Sequence, residues 1–104
     1  MVGLDHIALI VSSEESLRFY EKLGYKESKR IERSYDTVVL MQCEQIVLEI
    51  FIDPRHPKRF SEPEANGLRH IAFLVENLEE VMKNVECEEI RTEWFGAKFI
   101  FTTN

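Results

Sequence analysis

Leu68-Arg69-His70-Ile71-Ala72-Phe73-Leu74-Val75 repeats Leu4-Asp5-His6-Ile7-Ala8-Leu9-Ile10-Val11 at an offset of 64 residues, and five of the eight paired positions are identical. Each octet is an apolar run of strand length. Side chains alternate across a strand, so in each copy the histidine and the alanine two places on share one face. Two strands of one design predict two similar modules, each presenting an imidazole beside the space that an alanine leaves. A ligand or a metal ion lodged between the modules suits that arrangement.

After the first octet, Ser12-x-x-Glu15 has the spacing of a capping box, in which the serine oxygen and the glutamate satisfy reciprocal backbone N–H groups. The spacing predicts a helix through about Leu23 that buries Leu17, Phe19, Tyr20 and Leu23, with Gly24 free to take the left-handed conformation that stops it. Tyr25 to Ser34 reads as a strand with one wet face. Asp36 to Gln42, β-branched and apolar, predicts a more central strand. A tight turn at Cys43 to Gln45 then leads into Ile46-Val47-Leu48-Glu49-Ile50-Phe51-Ile52, where one polar residue stands inside seven. An ionised carboxylate in such a run is costly to bury unless a cation or hydrogen bonds compensate it. Glu49 therefore needs either a bound metal or a basic partner, for which Arg69 and Arg91 are the candidates.

Asp53 to Gly67 holds all three prolines together with Arg55, His56, Lys58 and Arg59, which marks a connecting loop between halves. Its basic residues offer a lid that receives a carboxylate or phosphate of a substrate, or else a solvated connector. The second octet is followed by Asn77-x-x-Glu80, another cap, and a helix carrying Leu78, Val81, Met82 and Val85. A strand from Cys87 to Arg91, a turn around Glu93 to Gly96 and a strand from Ala97 to Thr103 complete the pattern. Trp94 and Phe95 flank that turn, placed to line a mouth, to meet a second subunit or to pack at an edge.

The first half thus reads β-α-β-β-β and the second β-α-β-β. The expectation is one α+β domain over residues 1–104, with module one at 1–52, a connecting loop at 53–67 and module two, short of its last strand, at 68–104. Continuing the repeat places the counterpart of Glu49 beyond Asn104. A shortened or incompletely represented chain is the leading expectation, ahead of a partner subunit filling the gap or a naturally short chain that has abandoned the site.

A net charge of −6 and a pI near 5.1 oppose binding to nucleic acid or to anionic membrane. The N-terminus lacks the pattern of a signal peptide and no apolar run approaches the roughly 20 residues of a membrane helix, so a cytoplasmic protein is expected. Cys43 and Cys87 follow no paired motif and read as free thiols.

With His6, Glu49 and His70 in hand, the chain resembles the vicinal oxygen chelate superfamily, the glyoxalase, bleomycin-resistance and dioxygenase group. The likeness rests on Leu4–Val11, on Phe19-Tyr20-Glu21-Lys22-Leu23-Gly24-Tyr25, on Ile46–Ile52 and on Gly67–Phe73. Within the group the chain is most similar to small bacterial glyoxalase I-like proteins of the lactoylglutathione lyase family, in which a segment like Pro63–His70 recurs. The resemblance implies paired βαβββ modules curled into a half-open cup around one divalent metal, and commonly a homodimer. Carried over by position, it implies that His6, Glu49 and His70 are metal ligands and that Glu49, or the family's second glutamate, also serves as the catalytic base. The fourth ligand of the family, a glutamate on its last strand, has no counterpart up to Asn104.

Such a ligand set suits Ni, Zn, Co, Mn or Fe. The reaction implied is that of a lyase or isomerase acting on a small α-oxo compound or its thiol adduct through a metal-stabilised enediolate, with glutathione or another thiol as co-substrate. Arg55, Arg59 and Trp94 are the candidates for substrate binding. An Fe(II) extradiol-type dioxygenase and a metal-free drug-binding protein are the alternatives. The position of Glu49 on the fourth strand favours the first over the dioxygenase, and the trio of ligands disfavours a metal-free binder.

Overall fold

The computed structural model describes residues 2–44, 46–59, 62–92 and 96–102. The first module is β1 (His6–Val11), α1 (Glu15–Lys22), β2 (Lys26–Glu32), β3 (Thr37–Gln42) and β4 (Val47–Ile52). Its four strands form one sheet in the order β1-β4-β3-β2. β2, β3 and β4 are joined in sequence by antiparallel pairing, and β4 then runs parallel to β1, with His6 opposite Val47 and Ala8 opposite Glu49.

β4 is central because both of its edges are taken, and its sequence answers that position with Leu48 and Ile50 fully buried on one face. Val39 and Met41 of β3 lie beside them, and α1 covers this face with Leu17 and Tyr20. Ile7, Leu9 and Val11 of β1 pack against the same cluster. The helix ends as the sequence predicts: Gly24 has φ +104°, and the N–H groups of Leu23, Gly24 and Tyr25 return to the carbonyls of Tyr20, Glu21 and Tyr20. Arg30 of β2 joins the carboxylates of Glu27 and Glu14, tying the sheet to the start of α1.

The start of α1 departs from expectation. Glu14 precedes the helix in a helical conformation and no side-chain cap forms. Backbone bonds from Ser16 N–H to Ser13 and from Leu17 N–H to Glu14 begin it instead, so the carbonyls of the preceding turn do the work assigned to Ser12.

The second module has α2 (Leu78–Met82) and a two-stranded sheet of β5 (Arg91–Thr92) and β6 (Lys98–Phe99). Here the predicted cap is present, with Asn77 Oδ1 accepting from the Glu80 N–H at 3.0 Å. The strands are shorter than the sequence suggests, although a bridge between Cys87 and Thr102 and a bond from Glu88 N–H to the Phe101 carbonyl extend their pairing. The predicted turn at Glu93 to Gly96 falls mostly outside the described residues.

The octet at 68–75 is the main correction. Residues 70–75 are extended in burial pattern, alternating exposed and half-buried as β1 does, but they join no ladder among the described residues. A strand exists through its hydrogen-bonded neighbour, and among the described residues none stands beside 70–75 as β4 stands beside β1. Phe73 instead anchors the segment by edge-on contacts with Tyr20 and Tyr25, at centroid distances of 6.4 and 6.0 Å. The architecture is α+β, and the described residues form no closed barrel. No described helix is long and apolar enough to cross a membrane.

Candidate metal centre

The face of the first sheet opposite α1 carries His6, Ala8 and Ile10 of β1 and Val47, Glu49 and Phe51 of β4, because parity and register fix both strands. His6 and Glu49 are diagonal neighbours on it. With strands about 4.8 Å apart and a rise of about 3.3 Å per residue, their Cα atoms stand roughly 8 Å apart, a gap that only long side chains close. Ala8, directly opposite Glu49, adds no bulk between them. His6 Nε2 lies 3.8 Å from Glu49 Oε1.

The other ring nitrogen of His6, Nδ1, lies 2.7 Å from Oδ2 of Asp5. This hydrogen bond is the main reason that the His6 pKa is raised above its usual value; partial burial opposes the shift and the charges of Asp5 and Glu49 add to it. Nothing in the spacing of the octet had singled out Asp5. Its only sequence signal is adjacency to the histidine.

Two donors that share one ion, each about 2.1 Å from it, stand at most about 4.2 Å apart. The nitrogen and oxygen of His6 and Glu49 fall inside that limit, and both are donor types that a divalent cation takes. Among the described residues no group of three or more histidine, cysteine or acidic side chains gathers closely enough to complete it. His70 stands apart from the pair and borders a cleft of about 440 Å³ lined by Phe19, Phe73, Leu78 and Phe99 among others. That cleft is apolar and lies between residues 70–75 and 98–102.

Glu49 does not take either arginine foreseen as an alternative partner. Arg69 pairs with Glu64 at 2.8 Å and Arg91 with Glu88 at 2.9 Å. The nearest aromatic neighbour on its face, Phe51, lies under the guanidinium of Arg33, which also covers Tyr35 and is held by two bonds of 2.6 Å to Asp36. Arg33 was not foreseen as part of this face.

Arg55 is employed at the end of β4. Its Nε and Nη2 grip the buried carboxylate of Asp53 at 2.9 and 3.0 Å, its backbone N–H bonds the same group, and Nη2 also donates to the carbonyl of Tyr35. This grip lowers the pKa of Asp53 to about 2. The Asp53 N–H donates to the Val11 carbonyl at 2.9 Å, carrying the β1–β4 pairing one residue further. Arg59 is exposed, and a Cβ placed on Gly67 would stand 3.4 Å from its Nη2. Trp94 lies outside the described residues.

The model of the Glyoxalase/Bleomycin resistance protein/Dioxygenase superfamily matches residues 3–101. The chain belongs to that superfamily. Among curated relatives, the uncharacterized protein YwkD of Bacillus subtilis (strain 168) is 39% identical over 110 residues, covering 95% of this chain and 86% of YwkD. Among solved structures, a glyoxalase family protein from Enterococcus faecalis is 35% identical with a TM-score of 0.80, covering 96% of this chain and 89% of that one. SMU.1112c is 34% identical with a TM-score of 0.84, over 98% of this chain and 90% of that one. Membership in the glyoxalase superfamily accords with the modular pattern seen in the repeat and the first sheet.

Proposed function

We propose that this glyoxalase-superfamily chain is a metal-dependent lyase or isomerase of the glyoxalase I kind, acting on a small α-oxo compound or its thiol adduct. The observation that carries the reading is Glu49. It is the sole carboxylate of an apolar central strand, and it faces the imidazole of His6 at 3.8 Å on the side of the sheet opposite the one that α1 covers. A divalent ion held there by His6 and Glu49 would supply Lewis acidity to a substrate with two neighbouring oxygens.

In this reading His6 and Glu49 are ligands, and His70 is a third, since residues 70–75 keep the strand parity of β1 and put His70 on the face equivalent to that of His6. Glu49 is also the base that moves the proton at the carbon next to the oxo group, a role open to a half-exposed carboxylate within reach of the face. Residues 1–52, 53–67 and 68–104 are module one, connector and module two of a single domain that works as a homodimer in the cytoplasm. Arg55, Arg59 and Trp94 stand as substrate contacts in the same proposal; the hold of Arg55 on Asp53 limits it to the N–H groups of Nη1.

Metal content of protein purified without added metal, followed by assay with the hemithioacetal of methylglyoxal and glutathione, tests the reading. Stoichiometric divalent metal and turnover are expected, and Glu49→Gln should lower both. Unchanged metal content in Glu49→Gln would remove Glu49 from the site. Turnover of a catechol with oxygen in place of the hemithioacetal would favour the dioxygenase.

A further inference from the structure

The two ring nitrogens of His6 meet two carboxylates in different ways. Nδ1 stands 2.7 Å from Asp5, a short charge-assisted hydrogen bond, whereas Nε2 stands 3.8 Å from Glu49, beyond hydrogen-bond range. Were the proton of the neutral ring on Nε2, the lone pair of Nδ1 would point at a carboxylate oxygen 2.7 Å away. The contact therefore admits one neutral tautomer, with hydrogen on Nδ1 and the lone pair on Nε2, the nitrogen that lies 3.8 Å from Glu49.

We propose that Asp5 is the positioning residue of the metal centre, fixing the tautomer and orientation of His6 so that Nε2 is the donor. The inference rests on the reading of His6 and Glu49 as ligands. Histidine ligands commonly donate their second N–H to an outer carboxylate, and loss of that partner typically weakens metal binding 10- to 100-fold. The side chain of Asp5 is 95% exposed and that of His6 47%, so the pair contributes little to folding and variants at residue 5 keep the fold. Its contribution is directional: the backbone fixes the Cα and Cβ of His6 on the face, and Asp5 selects which ring edge meets the ion.

Long-range proton–nitrogen correlation spectra of the His6 ring, recorded where the ring is neutral, read the tautomer directly. Titration with zinc ion reads affinity. The wild-type chain should show the Nδ1–H form. Asp5→Ala should shift the ring toward the Nε2–H form and raise the zinc Kd about 10- to 100-fold. Asp5→Asn, which keeps an acceptor oxygen without the charge, should retain the Nδ1–H form and recover most of the affinity. If His6→Ala abolishes zinc binding while Asp5→Ala keeps the wild-type tautomer and affinity, the role of Asp5 is overturned and the metal centre stands. If His6→Ala binds zinc as the wild type does, or the wild type binds none, the metal reading fails and this inference falls with it.

Discussion

Residues 6–11 and 70–75 share most of their sequence and the same alternation of exposed and half-buried side chains, yet the first stretch is a strand and the second joins no ladder. The difference is β4. In module one a central strand with two fully buried residues supplies hydrogen bonds to β1 and a floor for α1. In module two, residues 70–75 and 98–102 border an apolar cleft, and no strand pairs with 70–75 among the described residues. An amphipathic octet sets which side chains share a face, and the neighbour decides whether the octet becomes part of a sheet. The same asymmetry separates the histidines: His6 meets a carboxylate carried by β4, and among the described residues no carboxylate pairs with His70 in this way.

The contrast is broken most directly at Leu48. Truncating this fully buried side chain to alanine should cost about 2–5 kcal/mol, read from urea unfolding, because the cavity lies under both β1 and α1. A loss below about 1 kcal/mol would mean that β4 is not what holds module one together.

Next comes the end of α1. Gly24→Ala forces a side chain into a backbone with φ +104°, and the nearest neighbour of the new methyl, Cys43 Sγ at 3.9 Å, leaves room for it. The cost is thus conformational, about 1–2 kcal/mol, seen as a lowered Tm. α2 ends at Lys83 without a glycine, with Asn84 Nδ2 bonded to the Glu80 carbonyl instead, so its end carries no such liability.

A smaller effect is expected at the clasp that closes β4 on β1. The Asp53 pKa falls from 3.8 to about 2 on folding, so its contribution is fully present above the unfolded value and disappears as pH drops through the folded one. Asp53→Asn should therefore differ from the wild type most at neutral pH, and the two urea midpoints should converge between about pH 4 and pH 2. The smallest effect belongs to Leu74, which is 98% exposed: Leu74→Ser should change stability by no more than about 0.5 kcal/mol. A larger loss would show that the outer face of 70–75 is covered in solution.

Much of module one was legible because its signals are local. The alternation in β1, the β-branched run of β3, the single acid in β4 and the glycine after α1 each act within a few residues. The carboxylate of Glu49 could be marked as unusual for the same reason. Its neighbour could not be read from periodicity alone, because the pairing of Ala8 with Glu49 links distant segments. The capping role given to Ser12 failed because backbone turns can start a helix without it. Asp5 and Arg33 escaped notice for a related reason: a charged residue beside a strand is ordinary in sequence, and only three-dimensional placement shows one held against an imidazole and the other laid over Phe51.

The parallel pairing of β1 with β4 also sets an order of events. β2, β3 and β4 can zip as successive hairpins, whereas His6 and its opposite residue Val47 are separated by 41 positions in the chain and must close a long loop. Glu49 should thus be carried into place early, by short-range steps, with the imidazole arriving last. Pulsed deuterium labelling during refolding should accordingly find amides 6–11 among the last of the first sheet to gain protection, with the side chains of His6 and Glu49 meeting only when the slowest closure is complete.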